Sequence, residues 1–513
     1  MGNLGKFNCL FVSGVVCLLL FNASVALAQR KSLLILYSGS SNGILANCGC
    51  PKDPLGAMEK RAALIKQLRL EHDKVLLLDS GDLMSSAGNA LKDSFAIEAV
   101  ESMNYDLLNV GDQEFSNGVD YFKRMKSQHD MPFMSANLKI DGNKISQAYH
   151  LKEINGIKVA LIGLISPSSF KFFDEDKIDG VEIESPYETL KRLIPEAKSV
   201  SDMIILISHA GFEEDKLFAE EFTEIDLIVG GHSQTYLEKP VLINKTLIVQ
   251  AGHSGFYLGY IELFLSESGS ILNYDGYLIP LIIEMENDPL IASLIVDYEK
   301  LISSDIKMVG SYIKPIPNKF IVSSSQLCQK CHEEEYNQWK STAHANAFEA
   351  LVNVDKERNQ ECLSCHTTGF GRGDGYYPKG NTAFLRNIHC TECHQISLDH
   401  LKSPEKLLSI KIDEMSCIRC HTVSNSPKFK YRYHIQEVNH TNDLIHSSAT
   451  NEESLIQHEI NHVVINGESL SLISFNILGS INLWPHIYQA NINVITDPDL
   501  IYPGQTLAIQ YSK

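Results

Sequence analysis

Residues 203–234 read MIILISHAGFEEDKLFAEEFTEIDLIVGGHSQ. Two apolar, β-type runs, Met203–Ile207 and Leu227–Val229, each lead into a polar cluster. The first reaches His209; the second reaches Gly230-Gly-His232-Ser-Gln234. The pattern continues in both directions, from Lys31 to about Ile283. Ser32–Tyr37, Lys74–Leu78, Leu107–Val110, Lys158–Ile165 and Thr246–Gln250 are further runs of the same type. Amphipathic stretches such as Ala57–Leu70 and Tyr187–Lys198 predict helices between them. Alternation of this kind predicts an α/β domain. Other strand ends also carry polar groups, as in Gly81-Asp82 and Gly111-Asp112-Gln-Glu-Phe115. That edge is where α/β folds bind ligands.

The chain has 513 residues, enough for about three domains at roughly 150 residues each. With 44% apolar and 21% charged residues, it is ordinary globular protein, not a disordered or collagen-like chain. A formal charge of −19 argues against a nucleic-acid partner, because phosphate backbones need a basic face. Twelve cysteines require a reason, and they sort without remainder. Cys9 and Cys17 lie near the start, and Cys48 and Cys50 form one close pair. The other eight are Cys328/Cys331, Cys362/Cys365, Cys390/Cys393 and Cys417/Cys420. Each of these pairs is followed directly by a histidine: His332, His366, His394 and His421.

The N-terminus reads as an export signal over residues 1–28. Lys6 precedes the apolar stretch Cys9–Phe21, and Ala26-Leu27-Ala28 offers a small-x-small cleavage site before Gln29. About 13 apolar residues is short for a bilayer span, so no integral membrane segment is expected after cleavage. No cysteine stands at the cleavage position, which argues against a lipoprotein. Export to the periplasm or an equivalent compartment is the expectation.

Four C-x-x-C-H pentads are present, where chance composition gives on the order of 0.01. In this motif two thiols add across the haem vinyl groups and the adjacent histidine becomes the proximal iron ligand. Zinc is the competing reading of paired C-x-x-C units, but it leaves the four fixed histidines unexplained. The spacing therefore predicts four covalently attached haem c groups. The remaining histidines of the segment, His344, His389, His400, His434, His440 and His446, are candidates for the distal iron position. The run Cys328-Gln-Lys-Cys-His332…Trp339…Ser341-Thr-Ala-His344, with Cys390-Thr-Glu-Cys-His394…His400, resembles the cytochrome c-554 family. The resemblance implies a mainly α or irregular multihaem cytochrome and makes His344 a distal ligand. Motif starts fall 34, 28 and 27 residues apart, so little chain is left for a conventional core.

The strand-end residues Asp82, Asp112 to Phe115, His209 and His232/Gln234 resemble, in order and spacing, the calcineurin-like metallophosphoesterases of the periplasmic 5'-nucleotidase group. The resemblance implies an α/β metallophosphoesterase-like sandwich with two divalent metals. Departures are marked. The family's D-x-H motif is replaced by Ser40-Ser41-Asn42, the asparagine of GNHEF is Asp112, and its catalytic histidine is Gln113. One metal site would keep only Asp82 and Gln234. The other would keep Asp82, Asp112, His209 and His232, a set suited to one divalent cation. Hydrolysis of the 5'-nucleotidase type is not expected. Cys48 and Cys50, in the loop of the missing ligands, are candidates for a reducible C-x-C disulfide or a soft-metal site, with inert thiols as the plain alternative.

Asp288–Ser303 predicts a helix and Lys314-Pro-Ile-Pro-Asn318 an extended break. Beyond a polar stretch near Ser447–Glu453, the chain resembles a LysM domain. Gly467-Glu-Ser-Leu470, Asn482-Leu-Trp-Pro485, Ile487–Asn491 and Asp497–Gln505 carry this resemblance. It implies a βααβ fold and a peptidoglycan ligand. The expected order is a signal (1–28), a metallophosphoesterase-like domain (29–285), a helical linker (286–322), a tetrahaem domain (323–450) and LysM (455–513). The expected function is electron transfer at the cell wall with a redox partner protein. A redox-coupled enzyme on a small phosphate, sulfur or nitrogen compound is the alternative.

Overall fold

The computed structural model describes residues 31–304, except 48, 51–53, 87 and 172, and residues 320–440, except 379, 395, 404–411, 413, 423–424 and 427. Beyond these it describes 458–464, 470, 473–474, 487–488, 490–491, 494–495, 501 and 505–511. The chain divides into two compact units, meeting at Ile435 and Gln436.

In the first unit the strands are β1 (Lys31–Ser38), β2 (Val75–Asp79), β3 (Leu107–Asn109), β4 (Phe133–Met134), β5 (Leu138–Ile140), β6 (Asn143–Lys144), β7 (His150–Ile154) and β8 (Ile157–Ile165). They continue as β9 (Val181–Ile183), β10 (Met203–His209), β11 (Leu227–Gly230), β12 (Val241–Ile243), β13 (Thr246–Gln250), β14 (Tyr257–Leu265) and β15 (Ile271–Pro280). The helices among them are α1 (Met58–Glu71), α2 (Ala90–Ser102), α3 (Val119–Gln128), α4 (Pro186–Val200), α5 (Phe212–Glu221) and α6 (Pro289–Ser304). Two six-stranded sheets result, in the orders β15-β14-β1-β2-β3-β4 and β12-β13-β11-β10-β8-β7.

The central pairings β1–β2, β2–β3, β8–β10, β10–β11 and β11–β13 are parallel. Parallel strands are covered on both faces, which is why they read as continuous apolar runs. The two faces of each run part company in space. Leu33, Ile35 and Tyr37 of β1 pack between the sheets with Ile205, Ile207 and Val229. Leu34 and Leu36 turn outward onto α1, α2 and α6. On the second sheet Ile204, Leu206 and Ile228 turn outward onto Leu190 and Leu193 of α4 and Phe218 of α5. Helices thus cover the outer faces of two stacked sheets, and the C-terminal ends of β2, β3, β10 and β11 open toward one site.

The predicted runs all appear as strands. The β14–β15 hairpin, which pairs antiparallel with β1, lies beyond them. The helix predicted at Asp288–Ser303 is α6, and Ile291, Ile295, Tyr298 and Ile302 bury its inner face in the core of the first sheet.

The haem-motif segment is built of short helices, among them Glu333–Lys340, Gln360–His366 and Cys390–Cys393. Its apolar cluster is small: Phe348, Leu351, Leu363, Phe370, Tyr376 and Leu385. The segment joins the α/β part through charge and hydrogen bonds. Lys92 Nζ lies 2.9 Å from Glu361 Oε1, and the Tyr298 hydroxyl donates to the same oxygen at 3.0 Å. Lys356 pairs with Glu299 at 3.2 Å, and Gln360 Nε2 donates to the Ile302 carbonyl.

In the second unit, strands β16 (His458–Val463) and β17 (Thr506–Tyr511) pair antiparallel. Val464, Leu470, Ile473, Ile487, Ile495, Leu507 and Ile509 form its core. Residues 467–469, 482–485 and 497–500, on which much of the LysM resemblance rests, lie outside the described residues.

Candidate metal centre and haem sites

Four strands deliver one cluster. Asp82 follows β2, Asp112 follows β3, His209 ends β10 and His232 follows β11. One donor atom from each lies within 4.8 Å of the others. His209 Nε2 stands 3.2 Å from both Asp82 Oδ1 and Asp112 Oδ1, and His232 Nδ1 stands 3.2 Å from Asp112 Oδ1. His209 Nδ1 lies 2.7 Å from the Ser80 carbonyl. A carbonyl only accepts, so Nδ1 carries a proton and Nε2 is the nitrogen left for an ion or, without one, for a second proton. Two carboxylates and two imidazoles make a donor set that fits one divalent, hard or borderline cation.

The backbone is shaped for this approach. Asp82, His232 and Gln234 have φ of 60°, 66° and 57°, a left-handed conformation that side-chain-bearing residues rarely adopt. Gly111 leaves room for Asp82, because a Cβ there would stand 2.5 Å from Asp82 Oδ1. Glu114, fully buried, gathers the loops by accepting from the backbone N–H of Asp82 (3.1 Å), Leu83 (2.7 Å) and Gly111 (2.6 Å). Burial, aided by the nearby Asp82 charge, pushes its carboxyl up to about 8. In the sequence, Glu114 has no signal beyond its place in Asp112–Phe115, and its gathering role is a finding of the structure.

The electrostatics match a cation site. Burial would raise the Asp112 carboxyl, but hydrogen bonds and charge from His209 and His232 outweigh it and hold it well below the ordinary range. Burial would lower His209, yet the carboxylates of Asp82 and Asp112 carry it well above the ordinary imidazole value. The metal-free cluster therefore holds a proton where an ion would sit.

Around the missing ligands the surroundings differ. Gln113 donates from its backbone N to Asp82 Oδ1 and from Nε2 to Asp82 Oδ2, both at 3.1 Å. The Gln113 side-chain amide thus occupies the Asp82 oxygen turned away from His209. Ser41 Oγ accepts from Arg61 Nη2 at 3.0 Å, and Arg61 is 1% exposed. A fixed interior cation therefore borders the loop that lacks D-x-H. Gln234 is half-buried, two residues beyond His232. Cys50 is exposed, and Cys48 lies outside the described residues.

In the haem segment, the motifs come together in pairs. The thiols of Cys328 and Cys390 share a hydrogen bond, as do those of Cys365 and Cys420. Cys328, Cys362, Cys365, Cys390, Cys393, Cys417 and Cys420 are all partly buried. Cys331 and the adjacent His332 are exposed and precede the short helix Glu333–Lys340.

Among the proximal candidates, His366 Nδ1 lies 2.6 Å from the Ala347 carbonyl and His421 Nδ1 lies 3.1 Å from Ser426 Oγ. In His366 this arrangement leaves Nε2 with its lone pair, as an iron ligand requires. His332 faces His400 with ring centres 6.3 Å apart and planes 23° apart. His344 faces His421 at 6.1 Å. Two imidazoles bound to one ion through bonds of about 2 Å have ring centres roughly 6 Å apart, a separation that both pairs match. His389 is buried, His434 Nδ1 lies 2.9 Å from the Lys430 carbonyl, and His440 is exposed. His446 lies outside the described residues.

Comparisons with known proteins find two separate likenesses. Residues 327–395 match the family "Cytochrome c554 and c-prime". That stretch contains the first three motifs; Cys417–His421 lies beyond it. The chain is 27% identical over 344 residues to the 5'-nucleotidase of Bos taurus, covering 62% of this chain and 58% of that protein. It is 31% identical over 241 residues to the 5'-nucleotidase of Vibrio cholerae serotype O1, covering 39% and 44%. It spans about half the length of the curated relatives it matches. Among solved structures, a 5'-nucleotidase precursor from Thermus thermophilus aligns with a TM-score of 0.48 at 21% identity, covering 54% of this chain and 60% of that one. Within the described residues, no helix is long and apolar enough to cross a membrane. One chain thus joins similarity to 5'-nucleotidases with a segment that matches the cytochrome c554 family.

Proposed function

We propose that this chain is an exported tetrahaem c-type cytochrome that transfers electrons and is held at peptidoglycan by its LysM-like C-terminal part. Its phosphoesterase-like domain holds one divalent ion at Asp82, Asp112, His209 and His232. The observation that carries the reading is the facing of His332 and His400 at 6.3 Å. It supports a six-coordinate, bis-imidazole iron, the arrangement of an electron-transfer haem. The net charge of −19 suits a basic redox partner through charge complementarity.

Phosphate-ester hydrolysis does not fit the ion site. Gln113 stands where the family carries its catalytic histidine, and an amide has no proton to give a leaving group near neutral pH. The intact four-donor cluster favours one other reading. In it the domain turns over a small phosphate, sulfur or nitrogen compound at this ion or at Cys48 and Cys50, and the haems take up the electrons.

The haem count and spin state of the purified protein decide between these readings. Four haems per chain, all low-spin, agree with electron transfer. A haem-free protein ends the proposal, and a high-spin haem that binds small ligands moves it to the second reading.

A further inference from the structure

The chain carries 63 acidic and 44 basic residues, yet residues 415–436 hold four basic ones, Arg419, Lys428, Lys430 and Arg432, and no acidic one. The fourth haem motif, Cys417–His421, lies in this stretch. Arg419 is held by Glu392, whose carbonyl accepts from Nη2 at 2.7 Å and whose Oε1 lies 3.6 Å from the same nitrogen. Lys428, Lys430 and Arg432 are exposed, and Tyr433 beside them is 65% exposed. The first motif is opposite in sign, because Glu333, Glu334 and Glu335 follow His332 directly.

The basic stretch also reaches the expected iron ligand of the fourth motif. Phe429 stacks on His421 with ring centres 4.5 Å apart and planes 14° apart, and the His434 ring lies 5.2 Å from Phe429. Ser426 Oγ lies 3.1 Å from His421 Nδ1, so the loop closes back onto the same ring. Phe429 stands between Lys428 and Lys430 in the sequence. Contact with the ligand and exposed positive charge thus fall on consecutive residues. A partner that grips the two lysines approaches His421 by way of the residue between them.

An electron carrier needs two partners, one that gives electrons and one that takes them. The acidic surface as a whole suits a basic one, but this face repels such a protein and attracts an acidic one. We propose that the face formed by Lys428, Lys430 and Arg432 docks an acidic electron-carrier protein, which exchanges one electron with the fourth haem. The iron passes between ferric and ferrous as the partner's centre changes in the opposite sense, and no bond forms or breaks. This assignment rests on the haem reading above.

The test uses full-length, haem-loaded protein, with the hydroquinone of a flavodoxin as an acidic electron donor and a basic mitochondrial-type cytochrome c as an acceptor. Stopped-flow spectroscopy follows the haems. At about 10 mM salt, where charges are screened over about 30 Å, Lys430→Glu combined with Arg432→Glu should slow reduction by flavodoxin on the order of tenfold. Lys430→Glu alone should slow it by a smaller factor. At about 1 M salt the three proteins should converge, and transfer to the basic cytochrome should not slow in either variant. An unchanged flavodoxin rate in a variant with the parent's haem count and spin state overturns the proposal, as does a parent rate indifferent to salt. Binding to phosphatidylglycerol vesicles that the double variant loses, with the flavodoxin rate unmoved, would make this face a membrane contact and also overturns it. If the double variant fails to load its haems, Lys430→Glu alone decides. Parent protein without haem would instead sink the cytochrome reading itself, so the two failures are distinguishable.

Discussion

Lys92 and Glu361 form a charged contact between the α/β part and the haem-motif segment, 2.9 Å apart. Glu361 directly precedes Cys362 of the second motif. Burial alone would raise its carboxyl, but Lys92, with the Tyr298 hydroxyl, outweighs burial and holds it below the ordinary value. The haem helix is thereby pinned to α2 and α6 by polar groups, not by a large apolar face.

Replacing Glu361 with Gln should loosen this junction. The pair is partly exposed, so the loss is about 1 kcal/mol or less. Hydrogen exchange should rise in α2 and in the helix Gln360–His366 with little change in global melting. Because the folded carboxyl is depressed, its contribution is present above about pH 4.3 and disappears as pH falls through the lower folded value. Unchanged exchange in the variant would show that the contact carries no weight.

The cluster should take up one divalent ion per chain, read as metal content after dialysis against Mn²⁺, Co²⁺ or Zn²⁺. At free ion 100-fold above Kd the fold gains about 2.7 kcal/mol. Asp112→Ala and His209→Ala should abolish the gain. Two ions per chain would contradict the blocking roles of Gln113 and Arg61.

Without metal, His209 is charged in the folded state and its pKa is raised by Asp82 and Asp112. Its contribution is therefore full below about pH 6.5 and is lost as pH rises through the raised value. Ion binding must displace this proton, so affinity should climb with pH over the same window. Calorimetry in buffers of different ionisation enthalpy reads the proton release directly, and an absence of release counts against this protonation state.

Phosphate release from nucleoside monophosphates should stay at background with any added divalent ion. Gln113→His alone should not restore it, because Ser40-Ser41-Asn42 still lacks the other ion's ligands. Turnover by the parent protein that Asp82→Ala abolishes would overturn this expectation.

His400→Ala should convert one low-spin haem to high-spin while the covalent haem count is unchanged, since the thioethers hold the porphyrin independently of the distal ligand. His344→Ala should do the same to a second haem. EPR and the pyridine haemochrome spectrum separate a change of ligation from a loss of haem.

Much of this was legible in the residues. Strands such as β1 and β10 are buried on both faces, so their apolar runs stand out without knowledge of their neighbours. The β14–β15 hairpin is harder to see, because β15 is an edge strand carrying Asn273 and Asp275 on its open side. The four donors of the ion site announce themselves at strand ends. The roles of Gln113 and Glu114 do not, since both depend on how closely the Asp82 loop approaches Gly111. A count of histidines likewise treats His389 and His400 alike, although the first is buried and the second lies beside His332.

The left-handed backbone at Asp82 and His232 has a kinetic consequence. Such residues cost on the order of 1–3 kcal/mol each, and the surrounding sheets meet that cost before any ion arrives. The donors are poised in advance, so loading requires no chain rearrangement. Its pace should be set by how quickly the imidazole of His209 releases its proton to solvent.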